Sequence, residues 1–313
     1  METVRIRLLW HKQAQFAGYL VAEALGLGES RGVKIVCEGL DFSQKHVAAV
    51  LAGATQMAVA SPAHVLESAD PAALRFILAI QQQSPLVYPV RRSDGIARLA
   101  DLAGRKVGVW PGHEDLELRW MLHRAGVAAD AVERIAMPDT VGPFLAGEIA
   151  SAQMTGYHEL HHVEEVLGAA ALHLFTAAAS DSGILKDGLV VAAAYADAQP
   201  QAVQAVVDAV LEGWTIAFTD PERAVAICAA ARPDMSVAEH RRQLADIRAL
   251  AMTGATLSHG LGYPDESHVA RAAAALQAVE GQPVETAGIA DVRFWQAAPA
   301  ALRRADWAGE QPA

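Results

Sequence analysis

A chain of 313 residues, 52% hydrophobic and 19% charged, is long enough to bury a large core and too apolar to stay disordered. Its formal net charge is −11, with no basic run longer than a pair such as Arg91-Arg92, Arg241-Arg242 or Arg303-Arg304, which disfavours nucleic acid and anionic membrane surfaces as partners. Two cysteines, Cys37 and Cys228, make neither a disulfide framework nor a metal pair and read as small buried residues.

In chain order, Val4–Trp10 alternates as a strand does and ends in Trp10. A polar loop follows, then a helix opening at Phe16 and stopping at glycines. Val33–Cys37 reads as a strand, Ser43–Ala52 as a helix ended by Gly53, and Gln56–Val59 as a strand. Ser61-Pro62 opens a helix, with Pro at a tolerated first-turn position. Leu74–Ile80 is a strand, and Gln81–Arg92 is an extended stretch suited to crossing between lobes. Lys106–Trp110, Val132–Ala136, Ala152–Met154, Leu172–Phe175 and Gly188–Ala193 read as strands. Helices are expected from Glu114, over Val141–Ala146, and from Tyr157 to Leu167. From Asp197 the pattern is almost wholly helical, over Pro200–Thr219, Pro221–Ala231 and Ser236–Leu250.

The stretch Gly108–Leu122 concentrates the features of a ligand edge. A buried strand ends in Trp110, Pro111-Gly112 turns, and a helix begins near Glu114. Such a unit presents free N–H groups at the carboxyl edge of a sheet, where ligands of open α/β sheets sit. An ordinary βα turn has the same pattern. The first strand also ends in a tryptophan, however, so two facing lobes with aromatic walls are expected. Met1-Glu-Thr runs directly into the first strand without a signal-peptide pattern, and no run of about 18 apolar residues suggests a membrane span.

Five stretches in one order carry a resemblance: Trp10 with Ala14–Ala22, Gly53–Ser61, Leu99–Gly112, Met154–Tyr157, and Asp291–Trp295. Across residues 4–295 the chain resembles the type II periplasmic-binding-protein fold, in the branch holding thiamine-pyrimidine synthases and nitrate-, sulfonate- and pyrimidine-type solute-binding proteins of ABC transporters. The resemblance implies two α/β lobes with two crossing strands and a helical C-terminal region: lobe 1 from 1–85 and 186–313, lobe 2 from 86–185. Its crossings would fall at about 83–90 and 182–189, with the ligand in the cleft. It also implies transporter membrane subunits as partners, no membrane insertion, a monomer, and a periplasmic location if a leader was removed, otherwise a cytoplasmic one.

Two enzyme readings compete. The fungal pyrimidine synthases of this branch use a lysine that binds pyridoxal phosphate, a histidine four residues later and a cysteine-rich iron motif. Aligned with them, His64 falls on the histidine but Ala60 on the lysine, and His173–Ser182 holds no cysteine. A Schiff base needs an amine, so no cofactor is expected, and His64 reads as a polar cap or cleft-edge residue. His158-Glu-Leu-His-His matches the H-E-x-x-H zinc pattern through His158, Glu159 and His162, but Glu165 stands where the longer pattern needs glycine. The alternative is an amphipathic helix with Val163, Val166 and Leu167 turned inward. A ligand-sensing subunit that touches a regulator is a third class.

The expected function is therefore capture of a small heteroaromatic, pyrimidine-like molecule for uptake, without catalysis or metal. Trp10, Phe16, Trp110 and Tyr157 supply aromatic contacts, with Phe16 the one most suited to the core. Asp41, Glu114, Glu159 and Asp181 are candidate acceptors, and Ser61 and Gly112 complete the expected site. Only Lys12 lies in these loops to meet an inorganic anion.

Overall fold

The computed structural model describes residues 1–305 apart from Phe42, His113, Ala129 and Gln282. Their strands are β1 Glu2–Arg7, β2 Val33–Glu38, β3 Met57–Ala60, β4 Leu74–Ala79, β5 Leu86–Arg91, β6 Lys106–Val109, β7 Glu133–Ala136, β8 Ser151–Ala152, β9 Met154–Thr155, β10 Leu172–Thr176 and β11 Gly188–Ala192. Two sheets result: one ordered β2-β1-β3-β11-β4, the other β10-β5-β8-β6-β7 with β9 also paired to β5. The chain divides into two compact units, residues 1–83, 185–270 and 285–313, and residues 84–184 with 271–284. The expected division gave all of 186–313 to the first lobe. The structure instead starts helix Glu266–Glu280 in the first unit and ends it in the second.

In the first sheet β1, β2, β3 and β4 run one way and β11 the other. Residues after Arg7, Glu38, Ala60 and Ala79 therefore share one edge with the residue that precedes Gly188. β3 is buried at every position, as a strand covered on both faces must be. Gly188 is required where β11 crosses Phe76, since a Cβ there would lie 2.1 Å from the ring. On the outer side of β4, Gly262 O accepts the Ala79 N–H (3.0 Å), Ile289 O accepts that of Phe76 (2.7 Å), and Phe76 O accepts that of Asp291 (3.0 Å). Asp291 also accepts from the Arg293 N–H (3.1 Å) just ahead of the helix Arg293–Ala297, and Trp295 Nε1 donates to Leu261 O (2.8 Å).

In the second sheet β6, β7, β8, β9 and β10 share a direction and β5 opposes them. The expected strand Ala152–Met154 is instead two short strands, one bonded to β6 and β5, the other to β5, with Gln153 between them.

Most helix boundaries follow the sequence signals. Ser61 accepts from the His64 N–H, and Ser236 accepts from the Glu239 N–H while Glu239 accepts from the Ser236 N–H. These are reciprocal caps, at helix starts predicted from the sequence. Three differences stand out. β1 ends at Arg7, three residues before Trp10, because the chain leaves the sheet there to pair its Trp10 carbonyl with the Leu40 N–H (3.0 Å). The helix expected from Glu114 starts at Leu116, with Glu114 in the preceding turn. In Glu159–Leu167 the inward stripe is Leu160, Val163 and Leu167, and Val166 is 65% exposed because it falls off that i, i+3, i+7 stripe.

Pro200–Thr219 is long and apolar enough for a membrane span by length and composition alone, but most of it is buried as the core helix of the first unit. It meets Ala17–Ala24 through glycines. A Cβ on Gly213 would lie 2.1 Å from the Gly18 carbonyl oxygen, and one on Gly18 would lie 2.2 Å from the Trp214 ring. Backbone against backbone leaves no flexible group to yield. Gly213→Ala should therefore lower the unfolding free energy by roughly 1–3 kcal/mol, the usual cost of overpacking. Urea denaturation checks this, and an unchanged midpoint would mean the two helices separate freely.

Candidate functional site

The carboxyl edge of the first sheet holds a buried polar network. Asp187, 4% exposed, immediately precedes β11, and its Oδ2 accepts from Gln15 Nε2 (2.8 Å) and Gln81 Nε2 (2.6 Å). Gln15 Oε1 accepts from Gln13 Nε2 (2.9 Å), the Gln15 N–H donates to Gln243 Oε1 (2.9 Å), and Arg232 donates to Gln13 Oε1. Burial and then the Asp187 charge push the Tyr19 hydroxyl far above its ordinary range, so it stays protonated. Gln81 Oε1 and Gln243 Nε2 have no hydrogen-bond partner among the described residues.

Around this network stand the predicted residues of the first unit. Trp10 is half-buried, edge-on to His11 with ring centroids 4.9 Å apart. Asp41 accepts from the Ser43 N–H (2.8 Å) and Oγ (2.6 Å), and those bonds, with Arg7 at 3.5 Å, hold its carboxyl below the usual range. Ser61 is buried at the end of β3 and caps Pro62–Leu66. His64 completes that cap: its Nδ1 accepts from the Ser61 N–H (3.2 Å) and lies 3.1 Å from His46 Nε2. Phe16 is a correction, at 0% exposure. It closes a 3-10 turn that faces the core, and so has no surface to offer a ligand.

Two basic groups at this edge are ion-paired. Lys12 lies 3.4 Å from Glu23, and Arg7 lies 3.0 Å from Glu38.

At the second sheet's carboxyl edge Trp110 follows β6 directly, half-buried against the core of its unit. Gly112 has φ +84°, a left-handed turn position suited to glycine. Glu114 holds the next turn through its carbonyl, which accepts from Gln153 Nε2 (2.8 Å). His113 lies outside the described residues. Tyr157 follows β9 and is 4% exposed. Asp181, at φ 50°, is 72% exposed, accepts from Arg271 (2.8 Å) and lies 3.7 Å from Arg124. Arg271 holds its carboxyl below the usual range, and the acid is already spent on two guanidinium groups.

The network at Asp187 and the amide of Gln153 escape sequence reasoning. Glutamines on loops look solvated, and only burial reveals them. Both cysteines are buried, as expected, with thiols pushed up by burial: Cys37 well above its ordinary value and Cys228 to about 12. Neither is a nucleophile.

The NMT1/THI5-like family model matches residues 13–224, more than half of the chain. The chain belongs to the NMT1/THI5-like family. No curated protein matches its sequence. Among solved structures it is similar to a periplasmic sulfonate-binding protein SsuA from Methylobacillus flagellatus KT (15% identity, 98% of this chain and 96% of that one, TM-score 0.72). It is similar also to the aliphatic sulphonate binding protein SsuA from Escherichia coli (18% identity, 80% and 85%, TM-score 0.63). A desulfurization enzyme, DSZB, has the same fold (14% identity, 95% and 98%, TM-score 0.59). At these identities the likeness establishes the fold, a two-lobe type II periplasmic-binding-protein architecture.

In this NMT1/THI5-like chain Ala60, buried at the end of β3, offers no amine. At the zinc pattern, His158 precedes the helix that Glu159 opens, and its ring lies edge-on to His162 with centroids 5.1 Å apart. Glu159 accepts from both the N–H and the hydroxyl of Thr155, which turns the expected base back toward its own turn. Among the described residues no group of three or more His, Cys, Asp or Glu is placed to hold a metal. Purified protein should hold well below one zinc per chain by elemental analysis. Stoichiometric zinc that is lost in His158→Ala would overturn this.

Proposed function

We propose that this chain is the solute-binding protein of an ABC-type importer. It works in the periplasm as a monomer, hands its ligand to transporter membrane subunits, and carries out no catalysis. Its proposed ligand is a small, flat, uncharged heteroaromatic bearing N–H groups, of the pyrimidine-precursor type. The family and the fold support the binding role, and the absence of an amine at Ala60 supports the exclusion of Schiff-base chemistry.

The observation that carries the ligand class is the charge state of the first unit's edge. Its bases Lys12 and Arg7 are ion-paired to Glu23, Glu38 and Asp41, while the buried groups are amides and the Asp187 carboxylate. An inorganic anion or alkylsulfonate at such an edge would meet the Asp187 carboxylate, with Lys12 and Arg7 already facing carboxylates of their own. An amino or ring N–H group would meet acceptors, among them the part-exposed Asp41 carboxylate. Trp10 and Trp110 supply ring faces. Each stack adds roughly 0.5–1.5 kcal/mol beyond area burial, toward the roughly −8 kcal/mol of a micromolar site.

A thermal-shift screen should find 4-aminopyrimidines stabilising and nitrate and methanesulfonate without effect. Trp10→Ala and Trp110→Ala should each weaken the best pyrimidine by roughly tenfold in calorimetric titration. Tight nitrate or alkanesulfonate binding, or pyrimidine binding unchanged in both variants, would sink the ligand class. Turnover of the bound molecule would sink the non-catalytic reading.

A further inference from the structure

Gln153 has no role in the sequence pattern, yet all four of its polar atoms are committed. Its N–H donates to Gly108 O (2.8 Å) in β6, and its carbonyl accepts from Thr140 Oγ1 (2.9 Å). Its side-chain Oε1 accepts from the Trp110 N–H (3.1 Å), and its Nε2 donates to Glu114 O (2.8 Å). The residue is 0% exposed. It stands where the neighbouring strand breaks into β8 and β9, and the break frees its side chain to reach past the end of β6.

Beyond Val109 the β6–β7 ladder has ended, and the backbone at Trp110 and at Glu114 needs other partners. The Gln153 amide supplies one acceptor and one donor, as the backbone of a strand neighbour would. It ties both ends of the turn to a side chain that is itself fixed by two backbone bonds. Gly112, at φ +84°, gives the turn glycine's latitude, so its external bonds set its shape. Of the side chains of this length, methionine has neither group, and glutamate has a donor only when protonated.

We propose that Gln153 is the positioning residue that sets the Trp110 ring, by clamping the turn at Trp110 and at Glu114. Its bearing on ligand affinity rests on the reading of Trp110 as a ligand contact; the clamp itself does not.

The test uses ligand-free full-length protein labelled with 5-fluorotryptophan, with the Trp110 19F signal assigned by its loss in Trp110→Phe. Gln153→Met should move or broaden that signal and leave the other tryptophan signals in place. Gln153→Glu supplies the rescue. A buried carboxyl is pushed up in pKa, and in its protonated form it accepts from the Trp110 N–H and donates to Glu114 O as glutamine does. Its Trp110 signal should therefore lie near the wild-type position at pH 5 and depart from it once the carboxyl ionises, each spectrum compared with wild type at the same pH. Affinity for 4-amino-2-methylpyrimidine should fall about tenfold in Gln153→Met, the scale of one or two lost hydrogen bonds.

An unmoved Trp110 signal in folded Gln153→Met overturns the clamp. So does a Gln153→Glu protein that matches Gln153→Met throughout pH 5–8. If Gln153→Met does not fold, the Gln153→Glu series decides alone. A signal that moves in Gln153→Met, together with pyrimidine binding unchanged in Trp110→Ala, upholds the clamp and overturns the ligand contact.

Discussion

The first unit depends on keeping a carboxylate out of water. Asp187 is almost wholly buried, and an unsatisfied charge there would cost several kcal/mol. Gln15 and Gln81 meet that demand, and in doing so they bring three chain segments to one point: the turn after β1, the end of β4 and the start of β11. Gln13, Gln243 and Arg232 extend the same network to the helices behind. The edge that the proposed ligand would meet is thus the exposed end of an internal structural requirement. Its polarity was fixed by the need to hold the loops, through amides and a carboxylate that are themselves buried.

The second unit solves a smaller problem in the same way. A turn beyond the last rung of a parallel ladder lacks partners, and a buried glutamine provides them. Both edges thereby rest on side-chain amides in place of backbone ladders. Amides carry no charge, so they fit beneath an aromatic wall without the desolvation cost that an arginine or lysine would bring.

Much of this architecture was legible in the sequence. Alternating and all-apolar runs located the strands, and Ser61, Pro62, Pro200, Pro221 and Ser236 marked helix starts close to where they occur. Local chemistry fixes those features, so local sequence reveals them. The site was less legible. Trp10 and Trp110 drew notice because tryptophan at a strand's end is conspicuous, and both are half-buried, which leaves them available to the proposed ligand. Phe16 and Tyr157 have the same local signature but are turned into the core, a choice made by tertiary packing. Gln15, Gln81, Gln153 and Asp187 were invisible, because a polar residue on a loop becomes informative only once distant segments bury it. The partner of Asp181 was equally hidden: Arg271, far along the chain, pairs with its carboxylate.

The pairing of Phe76 with the segment Ile289–Asp291 has a consequence for any shortened form of the protein. β4 is the last strand of its sheet, and its outer N–H and C=O groups are covered by residues near the chain's end and by Gly262. A chain that stops before residue 289 would still form β4 but would leave the Phe76 backbone groups bare. A bare apolar sheet edge is a template for another copy's strand. The C-terminal segment therefore acts as a cover against intermolecular strand pairing. Truncations made to trim the chain would yield aggregation where loss of ligand affinity was being sought.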